Sequence, residues 1–293
     1  MQNKIDCIYD KYLHFFNKEL NEYLLGLDMQ SPKTIRDVMS YALLNGGKRV
    51  RPILCLSVAD ILNIPLERVK YFAMALEMIH SYSLVHDDLP SMDNDDFRRG
   101  KPSTHKMFGE AFGVLGGDAL LNLAVETCLK TPNFDINCVE AMQALFQNSG
   151  YSGMIAGQVL DLEYEKSNIS DLKLLEEIFI NKTSKLLISP VIISSILADK
   201  AYYDEFYNYG LNLGLFFQIT DDILDFTGSL ETLGKTPMKD ANSNKATSVT
   251  ILGIEGAKKL AKTYYNKCIS SIEKVPNNQF LIDFAKKVFE RQS

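Results

Sequence analysis

The chain has 293 residues, with 31 basic against 37 acidic side chains and a net charge of −6, a balance that counts against a nucleic-acid binder. Apolar residues make up 46% and charged residues 23%, which excludes a disordered chain, and 17 Gly with 9 Pro are too few for a turn-rich all-β sandwich or barrel. The cysteines (Cys7, Cys55, Cys128, Cys138, Cys268) form no CxxC pair and point to reduced thiols in the cytoplasm; Met1 to Phe16 has no apolar run of the secretory kind, and the apolar stretch near Leu186–Ala198, broken by Ser189 and Pro190, is too short to span a bilayer, so no stable membrane insertion is expected.

Helical periodicity recurs from end to end, and sustained alternation does not. The first helices are expected at 3–26 and 33–44, followed by a break at Asn45-Gly46-Gly47 and a helix at 50–62. Val69, Phe72, Ala73, Leu76 and Ile79 form one face of a helix that ends near Asp88, and Pro90 to Pro102 reads as a loop. Helices follow at 110–130, at 138–150, at 172–196 with Leu175, Ile178, Phe179 and Leu186 on one face, and at 202–225 with Phe206, Gly210, Leu213 and Phe217. A polar, Gly- and Asn-containing flap from Thr227 to Asn244 precedes helices at 245–253, 255–272 and 278–290. The expectation is one all-α domain, 1–293.

Two helical faces turn acidic at their C-terminal ends. His80 and Asp87 are seven residues apart and share a face, and Asp221 follows Phe217 by four with Gln218 and Asp225 alongside. Carboxylates there repel one another and the helix dipole, so a cation should compensate. The clusters are Asp87, Asp88 and Asp93, with Asp95 and Asp96 behind, and Asp221, Asp222 and Asp225. Hard oxygen donors without His or Cys suit Mg²⁺. Asp93 cannot face Asp87 on a continuous helix, but a break near Pro90 lets it fold back. The spacing lacks the Gly and Glu of an EF-hand.

Cations surround these clusters. Lys48 and Arg51 share a face at a helix start, Arg98 and Arg99 follow the first cluster, Lys182 lies on the inward side of its helix, and Lys235 and Lys245 bracket the flap. Two carboxylate clusters with basic groups around an apolar cavity are what a diphosphate on a hydrocarbon tail requires.

GGKRVRP at Gly46–Pro52, DDLPSMD at Asp87–Asp93, RRGKP at Arg98–Pro102, GQVLD at Gly157–Asp161, Lys182-Thr183 and FQITDDILD at Phe217–Asp225 together resemble the trans-prenyltransferases, most closely the bacterial farnesyl diphosphate synthases. The resemblance implies an isoprenoid synthase fold, with long helices around a deep central cavity, and a homodimer. It implies that Asp87, Asp93, Asp221 and Asp225 hold three Mg²⁺ on an allylic diphosphate, with Asp88 and Asp222 behind them. Arg98, Lys182, Lys235 and Lys245 would complete that site, and Lys48, Arg51, His80 and Arg99 would bind isopentenyl diphosphate without metal. Thr183, Gln218 and the Lys182 carbonyl would face a carbocation. An aromatic at Tyr82, beside Ser83, would floor a fifteen-carbon pocket; the competing reading is a packed core tyrosine with its hydroxyl satisfied. Ser184, Met238 and Ser248 depart from common family residues, and Arg291-Gln292-Ser293 is less basic than many family C-termini. The competing functions are a geranylgeranyl diphosphate synthase, a class I terpene cyclase and a non-catalytic helical subunit.

Overall fold

The computed structural model describes residues 2–27, 31–164, 171–227 and 246–290. Lys235, Met238 and Lys245 of the flap, and residues 291–293, lie outside them. The chain divides into two compact units, Met1–Met142 and Gln143–Ser293.

In the first unit, α1 (Gln2–Leu25), α2 (Lys33–Leu44) and α3 (Val50–Ile61) precede α4 (Leu66–Asp87). Every residue of α4 from Phe72 to Ile79 is buried, so this helix is packed on all sides rather than on one stripe, chiefly against α3 and against α6 (Glu110–Cys128). Close approach is possible because α6 carries Gly113, Gly116 and Gly117 on its inner face. A side chain at these positions would strike Leu89, Val38 and His86 respectively. His86 Nε2–H donates to the Val114 carbonyl (3.0 Å), which ties the end of α4 to the same helix. The 90–102 loop contains structure the periodicity did not reveal: β1 (Phe97–Arg98) pairs antiparallel with β2 (Lys101–Pro102), and α5 (Thr104–Phe108) follows. The hairpin turns through Arg99 (φ 55°) and Gly100 (φ 76°), both left-handed as a two-residue type I′ turn demands.

α7 (Ile136–Ser149) spans the unit boundary. The second unit continues with α8 (Met154–Tyr164), absent from the expected elements, and α9 (Leu172–Phe179). Next come a π-helical turn (Ile180–Ser184), α10 (Lys185–Leu197), α11 (Tyr203–Thr227), α12 (Ser248–Ser271) and α13 (Gln279–Phe289). The helix expected at 172–196 is thus interrupted by one wide turn. The two helices expected at 245–253 and 255–272 are one run kinked at Gly253 (φ 69°). Leu175, Phe179, Leu215, Ile219, Ile223 and Val249 form a core shared by α9, α11 and α12. α10 is buried along nearly its whole length, and it meets α11 where Gly210 faces Ile188.

A Cβ at Gly210 would lie 2.6 Å from the Cα of Ile188, where only backbone movement could relieve it. Gly210→Ala is expected to lower stability by about 1–3 kcal/mol, read as a lower urea midpoint at unchanged slope, while turnover per folded molecule stays near wild type.

Candidate active site

In the first unit, Glu77, His80 and Asp87 occupy one face of α4 at spacings of three and seven. The helix stops at Asp87, and the Asp93 N–H donates back to the Asp87 carbonyl (2.8 Å), so the two aspartates stand on adjoining turns of a reversed chain. Asp88 is buried and faces the other way. The Arg98 guanidinium grips it with two nitrogens, Nε reaching Oδ1 at 3.0 Å and Oδ2 at 3.2 Å. Burial pushes the Asp88 carboxyl up, and Arg98 opposes that shift.

The type I′ turn explains why adjacent arginines do different things. Arg98, on the strand, turns to Asp88, whereas Arg99 donates to the Gly46 carbonyl with its guanidinium laid against Gly47. Gly46 (φ 85°), Gly47 (φ 119°) and Arg49 (φ 50°) give the α2–α3 loop its left-handed bends, and a Cβ at Gly47 would lie 2.7 Å from Arg99 Cζ. Lys48 is exposed, and its carbonyl accepts the Tyr9 hydroxyl. Arg49 turns inward instead, paired with Glu77 (2.6 Å) where both side chains are almost fully buried.

Four arginines therefore gather around His80, with Glu77 pairing Arg49 and Asp88 pairing Arg98. Among the described residues, Arg51 and Arg99 make no ion pair, and Arg51 Nε is buried without a hydrogen bond. Burial lowers the Arg51 guanidinium to about 10, Glu77 opposing and Arg99 adding to the shift. Loss of hydration lowers Arg99 as well. Burial and then Arg51, Arg99, Arg98 and Arg49 hold His80 well below the ordinary histidine range, so it is neutral at pH 7. This corner is electropositive beyond its own carboxylates and suits an anion.

Tyr82 is 6% exposed and sets its ring edge-on to His86 (centroids 5.9 Å). Its hydroxyl is buried without a hydrogen bond, unlike that of a satisfied core tyrosine, and burial raises it to about 12. Ser83 Oγ donates to the His80 carbonyl (2.9 Å) and so faces its own helix.

In the second unit, the Lys185 N–H reaches the Ile180 carbonyl five residues back, and this wide turn carries Lys182 and Thr183. α8 touches its backbone because residue 157 is Gly; a Cβ there would strike Lys182. Asp161, one turn further along α8, accepts the Lys182 ammonium. Thr183 Oγ1 donates to Gln218 Oε1 (3.1 Å), Gln218 Nε2 to Asp222 Oδ1 (3.4 Å), and the Ser248 N–H to Asp222 Oδ2 (2.7 Å). Asp222 thus supplies a carboxylate to the first N–H of α12, next to the Thr247–Thr250 capping box. Ser248 meets Asp222 through its backbone, so this departure from common family residues does not break the contact. Ser184 packs against Gly214, which leaves no room for a larger side chain. Asp221, partly buried, and Asp225, buried, lie one turn apart on α11.

Asp88 and Asp222 are engaged by protein donors, which makes them supports for their neighbours. Asp87 with Asp93, and Asp221 with Asp225, offer the hard carboxylate oxygens that suit Mg²⁺. Among the described residues no three such side chains form a ready cage. Glu77 and Asp161 were not among the expected site residues. A lone acid in the apolar stretch Phe72–Ile79 was the signal for the first, and the GQVLD segment for the second.

The family model for polyprenyl synthetase matches residues 32–279. The chain belongs to the polyprenyl synthetase family. It is 42% identical over 253 residues to the farnesyl diphosphate synthase of Micrococcus luteus, covering 84% of this chain and 86% of that one. It is 42% identical over 252 residues to a chloroplastic geranylgeranyl pyrophosphate synthase of Capsicum annuum, covering 84% and 67%. Among solved structures, the geranyltransferase of Helicobacter pylori complexed with magnesium and isoprenyl diphosphate superposes with a TM-score of 0.83 at 32% identity, covering 96% and 95%. This polyprenyl synthetase is accordingly a prenyl-transferring enzyme with an all-α fold.

His80 gives a pH test. An unfolded histidine titrates near 6.5 and the folded one well below, so the unfolded chain binds the extra proton and stability falls as pH drops below about 6.5. In His80→Gln the slope of unfolding free energy between pH about 5 and 6.5 is expected to shrink by up to about 1.4 kcal/mol per pH unit, measured by urea titration at each pH. An unchanged slope would mean that His80 is charged in the fold.

Proposed function

We propose that this enzyme is a short-chain prenyl diphosphate synthase that condenses isopentenyl diphosphate with dimethylallyl and geranyl diphosphate to give farnesyl diphosphate. The observation that carries this reading is the arginine corner, where, among the described residues, Arg51 and Arg99 make no ion pair of their own beside neutral His80. A diphosphate is the anion that such forked donors bind, and with Lys48 these groups form the isopentenyl diphosphate site. That second anion site is what a class I cyclase, acting on one substrate, would not need.

The first unit also contributes Asp87 and Asp93, and the second Asp221 and Asp225, as ligands for three Mg²⁺. Bound Mg²⁺ would neutralise the charge that builds on the departing diphosphate. Arg98 and Lys182 bind the same diphosphate, oriented by Asp88 and Asp161, with Lys235 and Lys245 of the flap completing the set. Thr183, locked to Gln218, and the Lys182 carbonyl on the wide turn present oxygens to the developing cation. The unbroken family match from 32 to 279 supports treating 1–293 as one prenyl diphosphate synthase domain. α6 is long and apolar enough to cross a membrane, yet only 44% of its apolar window is buried within the chain. Its exposed Phe112, Leu115 and Val125 are the surface we assign to a homodimer. Five cysteines without a disulfide suit the cytoplasm.

The test is incubation of purified protein with Mg²⁺, labelled isopentenyl diphosphate and an allylic partner. An extractable, acid-labile product is expected, and Asp87→Ala and Asp221→Ala should each cut its formation about 100-fold or more with little change in melting temperature. No product from the wild type would favour a non-catalytic subunit, and a cyclic hydrocarbon from one substrate a cyclase.

The similarity to a geranylgeranyl pyrophosphate synthase keeps a C20 product as the second reading. Tyr82 separates the two. If its buried ring floors the pocket, Tyr82→Ala opens roughly one isoprene unit of space and shifts the main product from C15 to C20 or longer by chromatography. A C15 product from a normally folded variant would place the floor elsewhere, with Ile79 and Met78 next.

A further inference from the structure

A buried carboxylate facing an anion site needs a reason. Glu77 is 1% exposed in the middle of a helix whose other residues from Phe72 to Ile79 are apolar, and taking it and Arg49 out of water is costly. Its Oε1 accepts from Arg49 Nη1, while Arg49 Nη2 donates to the Leu43 carbonyl and Nε to Asn17 Oδ1 (3.4 Å). Arg49 is thereby fully engaged and sits in a left-handed conformation between Lys48 and Val50. Glu77 is three residues from His80 on the same face of α4, toward Arg51 and Arg99 as well. Four arginines share this corner with two acids, and Asp88 is gripped by Arg98.

We propose that Glu77 is a resident counter-anion that keeps Arg49, Arg51 and Arg99 assembled around His80 while the anion site is empty, and that it thereby sets the site's affinity for a diphosphate. The proposal rests on the reading of this corner as the isopentenyl diphosphate site. Glu77 is a positioning residue: it touches Arg49, not the substrate. It acts in two opposed ways. It relieves repulsion among the arginines before substrate arrives, and its negative charge then weakens the hold on a bound diphosphate, which favours release over trapping. Burial and then Arg99 push Arg51 down, burial and then Arg49 and Arg98 push Arg99 down, and Glu77 pushes both back up.

The experiment is a titration with inorganic diphosphate in excess chelator, so that only a metal-free site is read, by calorimetry and by thermal melting with chloride at matched ionic strength as control. Glu77→Gln keeps an oxygen for Arg49 and removes only the charge. It should melt below wild type in chloride, bind diphosphate about 3- to 10-fold more tightly, and recover most of its melting deficit when diphosphate is added. Glu77→Asp, which keeps the charge, should bind within about twofold of wild type. If Glu77→Gln is unfolded in chloride, diphosphate must restore its native circular dichroism, and failure to do so overturns the proposal. Equal or weaker diphosphate binding by a folded Glu77→Gln also overturns it, leaving Glu77 a plain structural partner of Arg49. If wild type itself binds no diphosphate without metal, the isopentenyl diphosphate assignment falls instead.

Discussion

Like charges crowded where water is scarce are the constraint on which both units of this protein are built. In the first unit the crowding is cationic. Four arginines around one histidine would drive the corner apart were they not offset by Glu77, by Asp88, by the Leu43 and Gly46 carbonyls and by a histidine kept neutral. The local backbone serves this arrangement. Left-handed Arg49 sends one cation inward while Lys48 stays outside, and the Arg99-Gly100 turn sends neighbouring arginines to different partners. Left-handed residues other than glycine carry a cost of about 1–2 kcal/mol each, and at Arg49 and Arg99 that cost accompanies a precise placement of charge.

In the second unit the crowding is anionic. Asp222 is anchored to the first N–H of α12 and to Gln218, and Asp161 to Lys182, so part of the acid is committed to the protein itself. These ties are also positional. Gln218 holds Thr183, and the wide turn under Thr183 is supported from below by Gly157 of α8. In each cluster one carboxylate, Asp88 or Asp222, is held in place by protein donors. A polar network of this kind is rigid only when its members are satisfied together, which is why single residues within it are poor units of interpretation.

Glycine does parallel work in both units. Gly113 and Gly117 bring α6 onto the end of α4, Gly116 brings it onto Val38 of α2, and Gly157, Gly210 and Gly214 bring α8 and α11 onto the wide turn and α10. Gly113 and Gly117 meet Leu89 and His86, beside Asp87, and Gly157 meets Lys182 itself. At Gly157 and Gly210 the approach is to backbone, which leaves less room for rearrangement than interdigitated leucines do.

The sequence by itself determined the all-α class, most helix positions, the two acidic helix ends and the turn-back of Asp93 after Pro90, because these follow from a 3.6-residue repeat and from local breakers. Short elements escaped it: α5, α8 and the two-residue strands are too brief, or too amphipathic only in context, for a period to register. The wide turn at 180–184 escaped as well, since one extra residue per turn leaves the apolar spacing on either side intact. Only the tertiary structure decided which charges meet. Arg49 with Glu77, Arg98 with Asp88, Lys182 with Asp161 and Ser248 with Asp222 are pairings across 28, 10, 21 and 26 residues, set by how helices pack and not by spacing along the chain. A list of basic and acidic residues therefore named the candidates, but which of them pair with one another exists only once the fold has brought their partners within reach.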